Sequence, residues 1–316
     1  MHTSPFFKLF PPPKFMMMSH AGLDISDDAI HFIEYSGSSN GRKIKKYGRV
    51  ALPEGLIDGG DVKDEKKLGD ILSIMSREHG LSYAKVSIPE EKAYLFETDV
   101  PAAGARAISQ NIEFKLEENV PLSAADAVFA FDLLPVEKGK PWRASVSVVE
   151  KSYIEGMMSL LRSAGIVPMS FETAPRAIAR IVSGESAGAA IVVHCMARKT
   201  GVYIVSEHAV DFTSTIGVGV MEPDASAHAK ALAAEVRRVY VYWLPKSDAP
   251  GVPVKRVIVV GLFAERVAES LRPVVADIVE VELAQVWRAV LDVAKYVPPI
   301  VKTDSLEYAS AAGLAL

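Results

Sequence analysis

The chain has 316 residues, a length at which about two domains with buried cores are expected. Its 35 basic and 39 acidic residues give a formal net charge of −4, which argues against a nucleic-acid-binding protein. The single cysteine, Cys195, excludes an intrachain disulfide and a cysteine-cluster metal site, and we interpret it as a small core residue. No apolar stretch approaches the roughly 20 residues of a membrane span, so we expect a soluble, cytoplasmic protein.

Residues 1–19 form an apolar, basic and proline-rich start. The three consecutive prolines at 11–13 exclude the helix of a signal peptide. We expect a flexible leader here, and docking on a membrane surface or on a partner is the alternative.

The first predicted unit opens with a tight hairpin. Gly22, Asp24 and Ser26 end one strand, and the alternating run at 29–35 doubles back as the next. Small residues at such a turn let a phosphate approach the backbone. A strand at 43–52, a helix at 61–79 closed by Gly80 and a strand at 83–88 complete a β-β-β-α-β unit. This pattern is typical of the opening subdomain of an actin-like ATPase.

The pattern changes after residue 88. Strands at 92–100, 127–134 and 143–149 and helices at 103–119 and 151–164 predict a small α+β module, residues 89–166, inserted into the first unit. A strand at 167–172 and a helix capped by Thr173, with Pro175 in its first turn, return the chain to that unit. The first half therefore comprises residues 20–88 and 167–185, with a hinge at 183–188.

Residues 186–316 repeat the opening pattern. Strands at 189–197, 200–205 and 209–216 precede a helix at 225–244, a strand at 256–261, a helix at 264–271 and a strand at 278–281. Helices at 286–294 and 306–316 close the chain. Two hairpin-led halves predict a duplicated α/β fold that clamps a ligand between them.

The sequence resembles the type IV pilus assembly protein PilM family, whose members are relatives of the cell-division protein FtsA. The resemblance spans nearly the whole chain and rests on five motifs in order, which are 22–26, 112–121, 171–177, 235–238 and 308–316. It implies an actin-like, ribonuclease H-like duplicated fold with the inserted subdomain of this family.

The resemblance also implies a role as a platform at the cytoplasmic face of the inner membrane. Such proteins hold the N-terminal tail of an inner-membrane protein, PilN, and serve type IV pili or related secretion systems. On the family's pattern the tail lies between the first subdomain and the inserted module. The partner-binding residues that we expect are Glu113, Glu117, Asn119, Val120, Pro121 and Leu122.

An actin-like ATPase needs a carboxylate at the end of the first strand of each half, and glycines where its backbone meets phosphate. Asp24 meets the first requirement. In the second half the expected Asp-x-Gly reads His194-Cys195-Met196, which lacks both the carboxylate and the glycine. The loop expected to contact adenosine retains Gly261 alone, and we interpret the nearby Phe263 as an apolar packing residue at a helix start.

A third loss concerns the lid. The family carries a helical subdomain over the nucleotide, whereas only a short connection follows Gly219 here. We therefore predict a degenerate nucleotide cleft with no catalytic residue, no metal and no resident cofactor. The residues of this vestigial cleft are Gly22, Asp24, Ser26, Gly217, Gly219 and Gly261.

Two alternatives stay open at this point. One is an active actin-like ATPase that switches conformation with ATP and magnesium, and the other is a small-molecule kinase of the same superfamily. Self-association is a further expectation, and the missing lid favours a small ring or a monomer over a straight filament.

Overall fold

The structure is a computed structural model that describes residues 19–37, 41–134, 141–183, 188–206, 209–222, 225–244 and 253–316. The predicted leader up to residue 18 and residues 184–187 of the predicted hinge lie outside these ranges. Among the described residues, no helix has the length and apolar character needed to cross a membrane.

The first half and the inserted module alternate along the chain. The first half begins with β1 (Ala21–Ile25), β2 (Ala29–Ser36), β3 (Lys43–Ala51), β4 (Ile57–Asp58), β5 (Asp61–Val62), α1 (Glu65–His79) and β6 (Tyr83–Ile88). A 3₁₀ turn, Glu90–Lys92, leads into the module, which contains β7 (Ala93–Val100), α2 (Ala105–Asn119), β8 (Ala127–Leu133) and β9 (Trp142–Glu150). The chain returns through α3 (Lys151–Ser163), β10 (Val167–Thr173) and α4 (Ala174–Val182).

The second half follows the same plan. Its elements are β11 (Ala190–Cys195), β12 (Thr200–Ser206), β13 (Ala209–Ile216), α5 (Ala225–Trp243), β14 (Arg256–Gly261), α6 (Ala264–Val275), β15 (Glu280–Leu283) and α7 (Val286–Val290). A 3₁₀ segment, Asp304–Tyr308, and α8 (Ala309–Leu314) end the described chain.

Two five-stranded sheets with equivalent strand orders form the two halves. The orders are β10-β6-β1-β2-β3 and β15-β14-β11-β12-β13. In each sheet three antiparallel strands form a meander, and two further strands run parallel to the first strand of that meander. Parallel neighbours need helical crossover connections, which explains the strand-helix alternation after each meander. The predicted duplicated fold is confirmed.

The inserted module has its own small core. Its three strands pair in the order β7-β9-β8. From α2, the buried side chains of Ile108, Ile112 and Leu116 pack against Val146 and Val148 of β9. The helix covers one face of the sheet because these three residues recur at helical spacing on one side.

Two connections flank α5 in the second half. Residues 217–224 connect β13 to α5, and residues 244–255 connect α5 to β14. The absence of a lid subdomain from the second half stays a prediction.

The end of the chain returns to the first half. A Cβ added to Gly22 of β1 would lie 2.0 Å from the carbonyl oxygen of Ala311 in α8. A Cβ added to Gly313 would lie 2.0 Å from the carbonyl oxygen of Ala177 in α4. The small residues of α8 thus allow backbone-to-backbone packing against β1 and α4.

The structure corrects two predicted helix boundaries and one predicted helix cap. The helix predicted from residue 61 begins at Glu65, because the Asp64 side chain accepts a hydrogen bond of 2.9 Å from the Lys67 amide as an N-cap. Thr173 precedes α4 without forming a side-chain cap. The helix predicted at 286–294 ends at Val290, because Leu291 is extended.

Candidate functional site

A narrow cleft lies between the two halves, where β1 and β11 end. Its cavity volume is about 40 Å³. A water molecule needs roughly 10–15 Å³, whereas small-molecule sites occupy about 300–1,000 Å³. The cleft therefore has space for a few water molecules. It is lined by Asp24, Ile25, Ser26, Asp28, His31, Ser87, Pro89, Glu90, Ala174, His194, Cys195, Met196, Lys199, Gly261, Leu262 and Glu307.

Three of the residues predicted for a vestigial nucleotide cleft line this cavity. Asp24 is buried, and its Oδ1 accepts a hydrogen bond of 2.9 Å from Ser310 Oγ. Ser26 Oγ donates to the Ala29 carbonyl oxygen at 2.9 Å and so closes the β1–β2 turn. Gly261 has φ +94°, and an added Cβ would lie 2.2 Å from the Cys195 carbonyl oxygen. Neighbouring parts of the chain therefore already engage all three residues.

The other three predicted glycines do not line the cleft. Gly22 packs against α8, as described above. A Cβ added to Gly219 would lie 2.3 Å from the Ala197 carbonyl oxygen, so this glycine permits close packing on the turn between β11 and β12. Gly217 has open space around its Cα. Gly22 and Gly219 thus permit close backbone packing, and Gly217 lies in a loop.

Lys199 bridges the two halves across the cleft. Its ammonium lies 3.3 Å from Asp27 Oδ2 and contacts the Glu91 carboxylate. Its side chain is only 12% exposed. Burial alone would lower the pKa of Lys199, but the carboxylates of Glu91 and Asp27 outweigh burial and raise it. A positive charge of the second half thus lies between Asp27 of the first half and Glu91 of the turn that leads into the module.

A second bridge runs through Tyr203 of β12. Its hydroxyl donates a hydrogen bond of 2.8 Å to Glu90 Oε1 and lies 3.1 Å from His194 Nδ1. Burial, together with the neighbouring Glu91 carboxylate, raises the pKa of Glu90 to about 7. Burial also lowers the pKa of His194 well below its usual range, so its imidazole is neutral at pH 7. His194 is hydrogen-bonded to Tyr203, and it lines the cleft.

Arg198 adds a third link between the halves. Its Nη2 donates a hydrogen bond of 3.2 Å to the Ile57 carbonyl oxygen of the first half. Sequence reasoning missed Arg198, Lys199 and Tyr203. One signal for an ion pair was present in the sequence. Two adjacent basic residues, Arg198 and Lys199, lie in a tight turn between buried strands, and two adjacent carboxylates, Glu90 and Glu91, follow another buried strand.

Phe263 does not take the packing role predicted for it. The residue has φ 52° at the start of α6, and its ring is 45% exposed. The guanidinium of Arg266 lies 4.6 Å from the ring centroid. The side chain therefore forms a cation–π contact at the surface, and the prediction of an apolar packing residue was wrong.

A larger groove lies between the first half and the inserted module. Its cavity volume is about 330 Å³, within the range of ligand sites. Tyr153, Met157 and Leu160 of α3 contribute apolar surface together with Leu122. The full lining comprises Asp61, Val62, Glu65, Glu91, Lys92, Tyr94, Leu122, Glu150, Ser152, Tyr153, Gly156, Met157 and Leu160.

Carboxylates predominate at the edge of the groove. Asp61 pairs with Lys92 at 2.5 Å, whereas Glu65 and Glu150 have no ion-pair partner among the described residues. Burial raises the pKa of the Tyr153 hydroxyl, and the carboxylates of Asp61, Asp27 and Glu91 raise it further. The groove therefore presents an apolar surface at negative potential.

Of the six residues predicted to bind a partner, only Leu122 lines the groove. Val120 is buried in the core of the module. Glu117 and Asn119 bond locally, to the Ala124 amide at 3.2 Å and the Lys115 carbonyl oxygen at 2.8 Å. Glu113 and Pro121 are exposed and do not line the groove. The predicted partner-binding set therefore touches this groove through Leu122, and its role in binding stays a prediction.

The sequence model of the type IV pilus assembly protein PilM family matches residues 22–222. The chain belongs to this family. This match confirms the resemblance that the sequence motifs indicated. The two halves have the actin-like fold that the resemblance implied.

Two solved structures are similar to this chain in fold. A chain of the PilM-PilN type IV pilus biogenesis complex is similar with a TM-score of 0.77 at 18% identity, covering 94% of this chain and 98% of that chain. The ethanolamine utilization protein EutJ from Carboxydothermus hydrogenoformans is similar with a TM-score of 0.52 at 12% identity, covering 96% and 90%. A comparison with curated proteins gives no match.

Proposed function

We propose that this PilM-family chain is a non-catalytic platform protein of a type IV pilus or related secretion system. On this proposal it binds the cytoplasmic N-terminal tail of a PilN-like inner-membrane protein and is held at the membrane by that partner. The proposal rests on one observation. The narrow cleft has a cavity volume of about 40 Å³, whereas the groove has a cavity volume of about 330 Å³. The PilM-PilN complex among the similar structures supports the choice of partner.

The groove suits a short peptide with apolar side chains. Met157, Leu160 and Leu122 offer apolar contacts, and a cavity of this size accommodates a few side chains rather than a folded domain. The unpaired carboxylates of Glu65 and Glu150 favour lysine or arginine beside the apolar side chains of that peptide.

The donor set of the cleft does not fit magnesium and ATP. A hard divalent cation prefers carboxylate, carbonyl and water oxygens, whereas the second half offers the neutral imidazole of His194 and the thioether of Met196. The Lys199 ammonium already lies between Asp27 and Glu91. These contacts support a pseudo-ATPase in which side chains, not a nucleotide, hold the halves together.

Isothermal titration calorimetry tests the proposal. The purified chain is titrated with a synthetic peptide of the first twenty or so residues of its PilN-like partner, and separately with ATP and magnesium. We expect micromolar binding of the peptide, and millimolar or no binding of ATP. Tight magnesium-dependent ATP binding would instead support the active ATPase.

A groove-filling variant locates the peptide site. Gly156 of α3 lines the groove and an added Cβ there meets nothing within 4 Å, so Gly156→Trp brings an indole to the groove with no clash at its Cβ. The substitution also removes a helix-interior glycine, which favours folding. We expect at least tenfold weaker peptide binding. Gly104→Trp is the matched control, because Gly104 is equally open and lies outside the groove.

A further inference from the structure

The 3₁₀ turn Glu90–Lys92 lies at the covalent junction between the first half and the inserted module, and we call it the junction turn. Its three side chains engage different parts of the molecule. Glu90 accepts the hydrogen bond of Tyr203 in the cleft. Glu91 contacts Lys199 and also lines the groove. Lys92 lines the groove and pairs with Asp61. One short turn therefore contacts both sites.

A second route joins Lys199 to the groove. Asp27, which Lys199 also contacts, accepts hydrogen bonds from the amides of Gly59 and Gly60 at 3.2 and 3.1 Å. These glycines connect β4 to β5, which begins with the groove residue Asp61. The positions of Asp27 and Asp61 are thus linked through one short backbone turn.

Close packing leaves the junction turn little freedom to move alone. The Lys92 amide donates to the Pro89 carbonyl oxygen at 3.0 Å, which fixes the turn. A Cβ added to Gly60, whose φ is +78°, would lie 3.0 Å from Lys92 Cγ and 3.1 Å from Pro89 Cγ. A shift of the second half that moves Lys199 must therefore displace Glu91 and Asp27, or break their contacts.

We infer that closure of the cleft and occupation of the groove are energetically coupled through Lys199 and the junction turn. The inference rests on the proposed function of the groove. In the closed arrangement Lys199 holds Glu91 and Asp27 in place. Glu91 and Asp27 in turn position the two walls of the groove, which bear Lys92 and Asp61, in the geometry that receives the partner's tail. Coupling of this kind is reciprocal, so the bound tail stabilises the closed cleft to the same extent.

The coupling replaces a nucleotide-dependent switch with a side-chain link. In this arrangement no third ligand is required to relate the two halves to the partner. On this inference the element with two arrangements is the relative position of the two halves. The ion pairs of Lys199 with Asp27 and Glu91 belong to the closed one.

Lys199→Met in the full chain tests the inference, because Lys199 lines the cleft and not the groove. The dissociation constant of the PilN-like tail peptide is measured by isothermal titration calorimetry for the wild type and the variant. We expect binding to weaken by at least about fivefold, the lower end of typical coupling factors. Lys302→Met makes the same chemical change at an exposed position of the second half and is expected to change affinity less than twofold.

Hydrogen exchange provides the reciprocal readout. Addition of the peptide to the wild type is expected to slow exchange of the amides of Met196 and Gly60, which bond to the Lys199 carbonyl oxygen and to Asp27. The same addition to Lys199→Met is expected to leave the Met196 amide unchanged. Tyr203→Phe, which removes only the hydroxyl bonded to Glu90, is the second variant. It should weaken peptide binding by a smaller factor than Lys199→Met does.

The outcomes separate the two proposals. If the wild type does not bind the peptide, the proposed function fails and the coupling fails with it. If the wild type binds and folded Lys199→Met and Tyr203→Phe both bind equally well, the coupling is overturned and the proposed function stands. Weakened binding in Lys199→Met with unchanged binding in Lys302→Met supports the coupling.

Discussion

Tyr203 of the second half donates a hydrogen bond of 2.8 Å to Glu90 of the junction turn, across the boundary between the two halves. Glu90 is buried, and its pKa is raised to about 7 by desolvation and by the Glu91 carboxylate. In the unfolded chain the same carboxyl has a pKa near 4.5. Between these two values the folded protein holds a proton that the unfolded chain has released.

The sign of the resulting pH dependence follows directly. The stabilising contribution of Glu90 is complete below about pH 4.5 and is lost as the pH rises through about 7. We expect Glu90→Gln, which keeps the acceptor for Tyr203, to remove this dependence and to be more stable than the wild type at pH 8 by up to about 3 kcal/mol.

Urea unfolding at several pH values between about 5 and 8 measures this effect as the difference between wild type and variant. Glu269→Gln, at an exposed position on α6, is the control and should show no pH-dependent difference. A difference between wild type and Glu90→Gln that stays constant over this range would contradict the prediction.

Gly22 is predicted to be intolerant of any side chain. An added Cβ would lie 2.0 Å from the Ala311 carbonyl oxygen and 2.6 Å from the Ala315 amide nitrogen, and backbone atoms at both points cannot rotate away. We expect Gly22→Ala to lower the free energy of unfolding by about 2–3 kcal/mol or more. Thermal unfolding followed by circular dichroism is the measurement.

Gly41→Ala is the matched control for Gly22, because an added Cβ there meets nothing within 4 Å. Its midpoint should stay within about 2 °C of the wild type, whereas that of Gly22→Ala falls by several degrees. Equal midpoints for the two variants would show that α8 does not pack on β1 as described.

Asp64 is predicted to stabilise α1 as its N-cap. Its Oδ1 accepts the Lys67 amide at 2.9 Å, which satisfies one of the free N–H groups at the helix start. We expect Asp64→Ala to cost about 1 kcal/mol in chemical denaturation. Asp70→Ala, on the exposed face of the same helix, should cost much less, and similar losses for the two would argue against the cap.

The carboxylates at the groove edge are predicted to select a basic tail. The double variant Glu65→Gln, Glu150→Gln keeps the shape of both side chains and removes both charges. We expect severalfold weaker binding of the PilN-like peptide and a shallower dependence of affinity on salt concentration. Titrations at about 50 and 300 mM salt measure both quantities.

Glu78→Gln serves as the control for this pair, because Glu78 is exposed at the far end of the helix that begins with Glu65. It should leave the affinity and its salt dependence unchanged. An affinity of the double variant equal to that of the wild type at low salt would exclude charge selection by the groove.

The sequence by itself determined the duplicated fold. It also predicted a module inserted after residue 88, but it assigned α3 to that module, whereas Met157 and Leu161 of α3 pack in the first-half core. Strand and helix patterns are local, so hydrophobic alternation and turn residues defined both meanders and the crossover helices. The replacement of Asp-x-Gly by His194-Cys195-Met196 was also readable, because it concerns adjacent residues at the end of one strand.

Only the tertiary structure decided which residues meet. Gly22 has the pattern of a phosphate-loop glycine, but its neighbour is Ala311, far away in sequence. Lys199 gave no functional signal until folding brought it against Asp27 and Glu91. Leu122 faces the groove while Val120 points into the module core. Such pairings depend on the packing of elements distant in the chain, which local periodicity does not encode.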